Sequence, residues 1–205
     1  MSNEVPRGMF IVFEGGDGSG KSTQSQRLAA RIGALHTREP GGTPIGDAIR
    51  ALVLDPDRGE LADRTEALLM AAARAQHVDE RIAPTLAGGG HVVCDRYVAS
   101  SLAYQGSGRG LGIDTIAELN RFATSGVMPD LTLLLEADPQ AARDRLGATL
   151  DRIEQEGRAL GDVVADTYRA LAAADPERWA VVDADGSIDE VSARVDAVIA
   201  DRLGL

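Results

Sequence analysis

Short apolar runs alternate with longer amphipathic stretches along the chain. This alternation predicts βαβ units and a parallel sheet. Five strands are expected, at residues 10–13, 35–37, 91–95, 131–136 and 179–182. Helices are expected at 22–32, up to about 54, at 64–86, at 113–125, from about 139, at 158–173 and from 188. The pattern therefore predicts an α/β fold.

Two local features refine this prediction. The runs Leu-Thr-Leu-Leu-Leu at 131–135 and His-Val-Val at 91–93 are nearly continuous apolar strands, which are typical of sheets covered by helices on both faces. Glycines at 106, 108, 110 and 112 predict a loop ahead of the helix at 113. Because no repeat, low-complexity tail or linker interrupts the pattern, residues 1–205 are predicted to form a single domain.

Composition and charge narrow the expected partners. The chain has 205 residues, enough for a sizeable core, and no apolar run approaches the roughly 18 residues of a membrane span. A net charge of −11 argues against broad nucleic-acid binding, which needs basic surface. Residues 1–8 lack the features of a signal peptide, and the single cysteine, Cys94, suits a reducing compartment. We therefore expect a cytoplasmic protein that binds neither membranes nor nucleic acid.

A glycine-rich loop lies between the first strand and the following helix. Residues 15–22 match Gly-x-x-x-x-Gly-Lys-Ser/Thr, in which backbone N–H groups and a helix N-terminus surround an anion. Lys21, the only lysine in the chain, can reach the β- and γ-phosphates, and the Ser22 hydroxyl can ligate Mg²⁺. The motif predicts ATP binding without specifying a reaction. The predicted cradle comprises Gly15, Gly16, Asp17, Gly18, Ser19, Gly20, Lys21, Ser22 and Thr23.

An acidic partner for Mg²⁺ is expected at the end of a neighbouring strand. Asp95 closes the predicted strand 91–95, and it is the best candidate for a ligand, either directly or through water. Ser22 and Asp95 are therefore the predicted metal-binding residues.

Six separated segments carry a resemblance across nearly the whole chain. They are Glu-Gly-Gly-Asp-Gly-Ser-Gly-Lys-Ser-Thr at 14–23, Arg-Glu-Pro-Gly-Gly-Thr at 38–43, Asp-Arg-Tyr at 95–97, Ser-Ser-Leu-Ala-Tyr-Gln-Gly at 100–106, Pro-Asp-Leu-Thr at 129–132 and Leu-Asp-Arg-Ile-Glu at 150–154. In order and spacing they resemble the thymidylate kinase family, its bacterial members in particular. The glycine loop alone is shared by many unrelated enzymes, whereas the set of six is specific.

The resemblance implies a fold and a reaction. The fold is that of a P-loop nucleoside monophosphate kinase, with a five-stranded parallel sheet, helices on both faces and an arginine-bearing lid, here at about 143–156. The reaction is transfer of the γ-phosphoryl group of ATP to dTMP, giving dTDP and ADP, with Mg²⁺ as the cofactor. Family members usually form homodimers, so a homodimer is expected.

The positions that match the family's motifs acquire roles by the same resemblance. They are Asp17 for the 3′-hydroxyl of dTMP, Arg38 and Arg96 for its 5′-phosphate, and Arg74, Ser101 and Gln105 for the thymine edge, with Tyr104 packed nearby. A phosphate monoester is nearly dianionic at pH 7, so its oxygen can attack without a general base. What the reaction needs is positive charge, and arginine grips phosphate oxygens in pairs. Arg38 and Arg96 each follow a predicted strand, where ligands collect in open α/β sheets.

The remaining charged side chains are expected to lie outside the site. Arg50, Arg58, Arg64 and Arg121 are predicted to be solvated surface residues. His36, His77 and His91 are predicted to be structural or solvent-facing.

The chain departs from the family pattern at the base. Where most members carry an aromatic residue for stacking on thymine, residues 68–72 read Leu-Leu-Met-Ala-Ala. Base–aromatic stacking contributes about 1–3 kcal/mol, and a methionine sulfur recovers about 0.3–1.5 kcal/mol through ring contact. Met70 therefore either lies under the base or belongs to the helix core.

The catalytic arginine is a second departure. Eukaryotic-type members carry an arginine in the glycine loop, where this chain has Gly18, and bacterial members supply it from the lid. Arg145 and Arg152 are the candidates here, because Gly147 stands where a lid arginine often falls and Arg143 is expected to face solvent.

A third departure follows the lid. The helix there lacks the arginines and the phenylalanine common in the family, although Tyr168 matches, and its role stays open.

Two other functions compete with this interpretation. A kinase of the same architecture could phosphorylate another deoxynucleoside monophosphate. Met70 supports this alternative, because it stands where most family members carry an aromatic residue for thymine. A non-catalytic P-loop protein is the other alternative, but the Asn-Lys-x-Asp guanine-reading motif of GTPase switches is excluded because Lys21 is the only lysine.

Overall fold

The computed structural model describes residues 6–145 and 151–205. It contains a five-stranded sheet, and the predicted strands are all present. They are β1 (Phe10–Glu14), β2 (Leu35–Arg38), β3 (Val92–Asp95), β4 (Leu131–Glu136) and β5 (Trp179–Asp183). All neighbouring strands are parallel, in the order β2-β3-β1-β4-β5.

The helices connect these strands as the pattern predicted. Their bounds are α1 (Lys21–Ile32), α2 (Pro44–Leu54), α3 (Asp63–His77), α4 (Ala83–Ala87), α5 (Val98–Ser101), α6 (Ile113–Ala123), α7 (Pro139–Arg145), α8 (Arg158–Ala174) and α9 (Ile188–Leu203). Short 3₁₀ turns lie at Pro56–Arg58 and Glu154–Glu156, and π-helical segments lie at Val78–Ile82 and Leu102–Gly108. Within the described residues, no helix combines the length and the apolar character needed to cross a membrane.

Both faces of the sheet are covered, which confirms the prediction from the apolar strands. On β1, Ile11 and Phe13 pack into a core with α1 and α9, while Phe10 and Val12 pack into a second core with the end of the α3–α4 region. Alternate side chains of a strand point to opposite faces, so a strand buried on both faces must be apolar throughout.

The long helix predicted at 64–86 is present but is not uniform. α3 continues through the π-helical segment into α4. The wide turn lies directly before Pro84, which has no N–H to donate and whose ring collides with the carbonyl group four residues earlier in a regular helix.

The loop predicted from the glycines at 106–112 is partly wrong. Gly106 and Gly108 lie in the π-helical segment that follows α5, and the loop begins only after it. These glycines serve close packing instead, because a Cβ at Gly106 would lie 3.3 Å from the Cα of Ile113 and a Cβ at Gly108 would lie 2.5 Å from Leu160.

The strand order positions the functional segments. β2, β3 and β1 are neighbours, and their register places both Phe13 and Arg38 beside Asp95. The carboxyl ends of three adjacent strands therefore meet at one edge of the sheet, where ligands of open parallel sheets bind.

Candidate active site

A cleft of about 630 Å³ opens at this edge of the sheet. Its walls come from the glycine loop, the ends of β2 and β3, the helices α3 and α5, and the end of α7. Among the predicted site residues, those lining it are Asp17, Gly18, Ser19, Gly20, Lys21, Ser22, Thr23, Arg38, Met70, Arg74, Asp95, Arg96, Ser101, Tyr104, Gln105 and Arg145. Gly15, Gly16 and Arg152 are not among the lining residues.

The glycine loop has the conformation that an anion cradle requires. Gly20 caps α1 with φ +91°, so the first free N–H groups of that helix face the cleft without a side-chain cap. At Gly18, with φ +75°, a Cβ would lie 2.0 Å from the carbonyl oxygen of Ala142 in α7. This close approach of α7 explains why no side chain, and hence no loop arginine, is present at position 18.

Lys21 lies folded against the loop, with only 6% of the residue exposed. Its Nζ donates to the carbonyl oxygen of Gly16 at 2.6 Å and approaches Ser19 Oγ at 3.4 Å. Burial, followed by repulsion from Arg96, lowers the pKa of Lys21 to about 8. A nearby phosphate would reverse both effects, because it replaces the lost hydration and neutralises the local charge.

Ser22 and Asp95 form a pair that suits a hard metal ion. The Ser22 hydroxyl donates to Asp95 Oδ2 at 2.5 Å, whereas the buried Oδ1 has no hydrogen-bond partner among the described residues. Mg²⁺ prefers oxygen ligands, and it is usually held by one or two protein groups together with substrate phosphates and water. In the described part of the chain there is no group of three or more Asp, Glu, His or Cys that could hold a metal alone. The two residues therefore fit a nucleotide-bound Mg²⁺.

Arg96 occupies the centre of the cleft. It has φ +69°, an uncommon value for a non-glycine residue. Its guanidinium donates to Asp17, to the carbonyl oxygen of Gly15 at 3.2 Å and to the Tyr168 hydroxyl at 3.1 Å, and it stacks over the Tyr104 ring. These contacts fix Arg96 beside the glycine loop, while 17% of its side chain stays exposed to the cleft.

Asp17 is fixed by the same cluster. It accepts hydrogen bonds from Arg96 and from the Tyr104 hydroxyl, the latter at 3.2 Å. Burial raises its pKa, but Arg96, Lys21 and the Tyr104 hydrogen bond outweigh burial, so the net pKa is lowered and the carboxylate is ionised.

Glu14 is a buried acid that the sequence reasoning did not single out. Its carboxylate accepts hydrogen bonds from the backbone of Tyr97 and Ser100, from the Ser100 hydroxyl and from the Tyr168 hydroxyl, at 2.7–3.1 Å. Burial raises its pKa, against the attraction of Arg96. These contacts give Tyr168 a structural role, since α8 is tied through it to the end of β1. The feature of the sequence that could have identified Glu14 is its position as an acidic residue directly before the glycine loop.

Arg38 and Arg50 add two further cations to the cleft. Arg38 ends β2 and is exposed, and no hydrogen bond or ion pair ties it to the described residues. Arg50 lines the same cleft and donates to the carbonyl oxygen of Pro40 at 3.0 Å, so its assignment to the solvated surface was wrong. Burial and then Arg38 lower the pKa of Arg50. Its position on α2, which directly follows the 38–43 motif, was the signal missed.

The three histidines have structural contacts. His77 is buried and contacts Thr37 Oγ1 and a carboxylate oxygen of Glu39, while His36 contacts Ser25 Oγ. His91 Nδ1 accepts a hydrogen bond from a backbone N–H.

At the far end of the cleft, Arg74 is buried and nearly saturated with hydrogen bonds. Its Nε donates to Glu39 at 2.6 Å, Nη1 to Ser101 at 2.9 Å and to Asn120, and Nη2 to the carbonyl oxygen of Tyr97 at 2.9 Å. A guanidinium has five N–H donors, so one N–H on Nη2 remains for a ligand.

Met70 lies between the apolar core and the cleft. It lines the cleft, and it also belongs to a small apolar cluster with Val53 and Ile153, against which Tyr104 packs. The side chain is therefore part of the core at one side and part of the cleft wall at the other.

The lid arginines lie in different places. Arg145 lines the cleft, and its Nη1 lies 3.5 Å from the carbonyl oxygen of Gly18 and 3.4 Å from that of Ala184. Arg143 points outward to Gln140, as expected. Arg152 instead pairs with the buried Glu66 and donates to Val53, so the structure does not bring it to the cleft. Gly147 lies outside the described residues.

The depressed pKa of Lys21 can be measured directly. Because the chain has one lysine, a ¹³C label on lysine Cε reports this side chain alone in an NMR titration. We expect a midpoint near pH 8 in the folded protein, since burial and Arg96 destabilise the charged form. In the urea-unfolded chain the midpoint should return to about 10.5. A folded-state midpoint above 10 would contradict the described burial.

Three comparisons address the family. The family model described as Thymidylate kinase matches residues 13–195. The chain is 49% identical to a thymidylate kinase of Chromohalobacter salexigens, over 96% of this chain and 97% of that protein, and 48% identical to one of Pelotomaculum thermopropionicum, over 87% and 86%. The crystal structure of thymidylate kinase from Ehrlichia chaffeensis superposes with a TM-score of 0.77 at 31% identity, covering 95% of this chain and all of that chain. The family-model match and the identity to these relatives show that the chain belongs to the thymidylate kinase family.

Proposed function

We propose that this chain transfers the γ-phosphoryl group of ATP to dTMP, giving dTDP and ADP, by electrostatic stabilisation without a general base. The observation that carries this proposal is the convergence of Lys21, Arg38 and Arg96 on one cleft at three adjacent strand ends. Two polyanionic substrates repel each other, and an enzyme that joins them must supply cations in fixed positions.

ATP binds with its phosphates in the loop 15–23. The free N–H groups of α1, the glycine-loop backbone and Lys21 surround them. The cleft continues past α1 along Ala184, Gly186 and Ile188, which offer a largely apolar wall for the adenosine. Mg²⁺, held by Ser22 and Asp95 together with the phosphates, would supply charge neutralisation between the donor phosphoryl groups.

The 5′-phosphate of dTMP binds to Arg38 and Arg96, with Arg50 as a third cation. Arg38 has no partner among the described residues, so its donors are available to a phosphate. Asp17 is ionised and placed by Arg96 and Tyr104, and it can accept a hydrogen bond from the 3′-hydroxyl. The attacking phosphate oxygen is already anionic at pH 7, so these residues bind and orient it and need not remove a proton.

The base of dTMP lies at the end of the cleft formed by α3, α5 and the following π-helical segment. Arg74 and Gln105 offer polar groups there, and the Ser101 hydroxyl accepts a hydrogen bond from the Arg74 guanidinium. Met70 and Tyr104 supply apolar surface. A base with polar groups on one edge and a flat apolar face fits these walls.

The transferring phosphoryl group is stabilised by Arg145. Its guanidinium lines the cleft beside the carbonyl oxygen of Gly18, so it would lie near a phosphate bound in the glycine loop. We infer that residues 1–205 act as a single catalytic domain, with the segment 143–156 as its lid, because one continuous sheet carries both halves of the cleft.

A homodimer formed through α3 and α6 is supported by exposed apolar surface. Leu68 on α3 is 58% exposed, Phe122 on α6 is 86% exposed, and the two helices pack against each other. Large apolar side chains on adjoining helices commonly mark protein–protein contacts.

A cytoplasmic location would supply the ATP that the reaction consumes.

The acceptor is identified by a coupled assay of ADP formation. With dTMP, dUMP, dCMP and dGMP offered separately, we expect the highest kcat/KM for dTMP, and preference for another acceptor would overturn the proposal.

Lys21→Met should abolish turnover, because the donor phosphates lose their only lysine contact, while circular dichroism stays unchanged. Wild-type turnover in that variant would overturn the cradle assignment.

The lid arginine is tested by two alanine variants on the same helix. Arg145→Ala should lower kcat roughly 10²–10³-fold with little change in the KM for dTMP, since the charge acts on the transition state. Arg143→Ala is the matched control, because its side chain contacts Gln140 on the outer face. Equal effects of the two substitutions would remove Arg145 from the catalytic centre.

The dimer is tested by sedimentation. The wild-type chain should sediment as a dimer, and Phe122→Glu should shift it to a monomer, because a buried, unpaired charge is costly. Val163→Glu is the control, since Val163 is an exposed apolar residue on α8, away from α3 and α6. A dimer that survives Phe122→Glu would place the interface elsewhere.

A further inference from the structure

A buried carboxylate lies directly behind the base end of the cleft. Glu66 on α3 is 1% exposed and does not line the cleft, whereas Gln105 is 2% exposed and does. The two side chains meet at 2.8 Å, with Gln105 Nε2 donating to Glu66 Oε1. Gln105 therefore stands between Glu66 and any bound base.

Two arginines keep Glu66 in its ionised form. Arg109 donates to both carboxylate oxygens, at 3.2 and 3.0 Å, and Arg152 donates to Oε2. Burial raises the pKa of Glu66, but the hydrogen bonds from Arg109, Arg152 and Gln105 lower it further than burial raises it. An ionised carboxylate has acceptors only, so the group of Gln105 that faces it must be the NH₂.

This contact determines what Gln105 can offer to the cleft. With Nε2 turned to Glu66, the carbonyl oxygen Oε1 is left, and no described residue donates to it. Arg74, which lines the same cleft, retains one unused N–H. The base end thus combines an acceptor and a donor, which complements the N3–H donor and O4 acceptor of thymine. Cytosine presents the opposite pair, an N3 acceptor and an N4 amino donor.

We propose that Glu66 is a positioning residue for base selectivity: by holding the Gln105 amide in one orientation, it makes the cleft select a pyrimidine with an N3–H over cytosine. The proposal rests on the proposed function, because it assumes that the acceptor base lies against Gln105. A polar group that meets a mismatched partner in a buried site loses its hydrogen bond and its hydration together, so such contacts discriminate strongly.

The substitution Glu66→Gln tests this orientation. Oε2 of Glu66 accepts from Arg109 at 3.0 Å and from Arg152, whereas Oε1 accepts from an arginine only once, from Arg109 at the longer distance of 3.2 Å. The amide oxygen of the new side chain should therefore take the position of Oε2. Its NH₂ then faces Gln105, whose amide must turn and present NH₂ to the cleft. We expect the ratio of kcat/KM for dTMP to that for dCMP to fall roughly ten- to a hundred-fold, with the KM for ATP unchanged.

Two further variants make the result specific. Glu80→Gln is the matched control, because Gln76 Nε2 donates to Glu80 in the same way at 2.9 Å on an exposed surface. It should leave the ratio unchanged. The double variant Glu66→Gln with Gln105→Glu reverses the pair, so that an oxygen faces the cleft again, and the ratio should return toward the wild-type value.

The outcomes separate the inference from the function beneath it. A wild-type enzyme without preference for dTMP would overturn the proposed function. A wild-type preference for dTMP, with Glu66→Gln lowering kcat/KM for dTMP and dCMP equally, would overturn only the role of Glu66. Should Glu66→Gln fail to fold, the double variant decides, since it retains one amide and one carboxylate: loss of its dTMP preference would overturn the inference.

Discussion

Repulsion among buried cations is the constraint on which this active site depends. Lys21 is desolvated and repelled by Arg96, and Arg50 is partly buried and repelled by Arg38. In each pair the repulsion lowers the pKa of one member, Lys21 or Arg50, although the chain as a whole carries a net charge of −11. The protein tolerates this local excess because Asp17, Asp95 and Glu14 favour the charged form of Lys21, and Asp17 also accepts a hydrogen bond from Arg96. Two polyanionic substrates would relieve the repulsion, so binding energy is directed to the position where the phosphoryl group moves.

Three buried glutamates make this arrangement rigid. Glu14 ties the turn after β3 and the Tyr168 hydroxyl to the end of β1, and Glu39 holds Arg74. Glu66 holds Arg152 and the Gln105 amide. Each carboxylate is paired or multiply hydrogen-bonded, as a buried charge must be. None of the three contacts a substrate phosphate in the proposed mechanism, since each acts by fixing the direction in which another group donates or accepts.

Local patterns in the sequence were sufficient for the strands and for the glycine loop. Apolar runs identify strands buried on both faces, and the spacing of residues 15–22 identifies the cradle, because both depend on neighbours in the chain. The partners of single side chains could not be predicted in this way. Glu14 contacts Tyr168 across 154 positions of the chain, and Arg152 contacts Glu66 across 86. Sequence patterns therefore predict Arg152 in the cleft, whereas the structure pairs it with the buried Glu66 outside the cleft lining.

Glycine and arginine were also ambiguous as signals. Gly106 and Gly108 can mark a loop or a close helix contact, and only the neighbouring Ile113 and Leu160 show that contact is the reason. Arg50 on an amphipathic helix could lie on the open surface or in the cleft wall, and its hydrogen bond to the Pro40 carbonyl oxygen holds it in the cleft wall. Residue type restricts the chemistry, whereas tertiary contacts select among its uses.

The base end of the cleft shows how affinity and selectivity can come from different groups. Stacking on an aromatic ring favours every base, because every base has a π-face. Under the proposed function, a methionine at position 70 would therefore lower affinity more than it changes selectivity. Hydrogen bonds from fixed buried groups act in the opposite way: they add little net affinity but strongly penalise a mismatched edge. Arg74 is fixed by four hydrogen bonds and Gln105 by Glu66. Under the proposed function, a chain with methionine at position 70 can therefore still discriminate among pyrimidines, provided that those polar groups cannot turn.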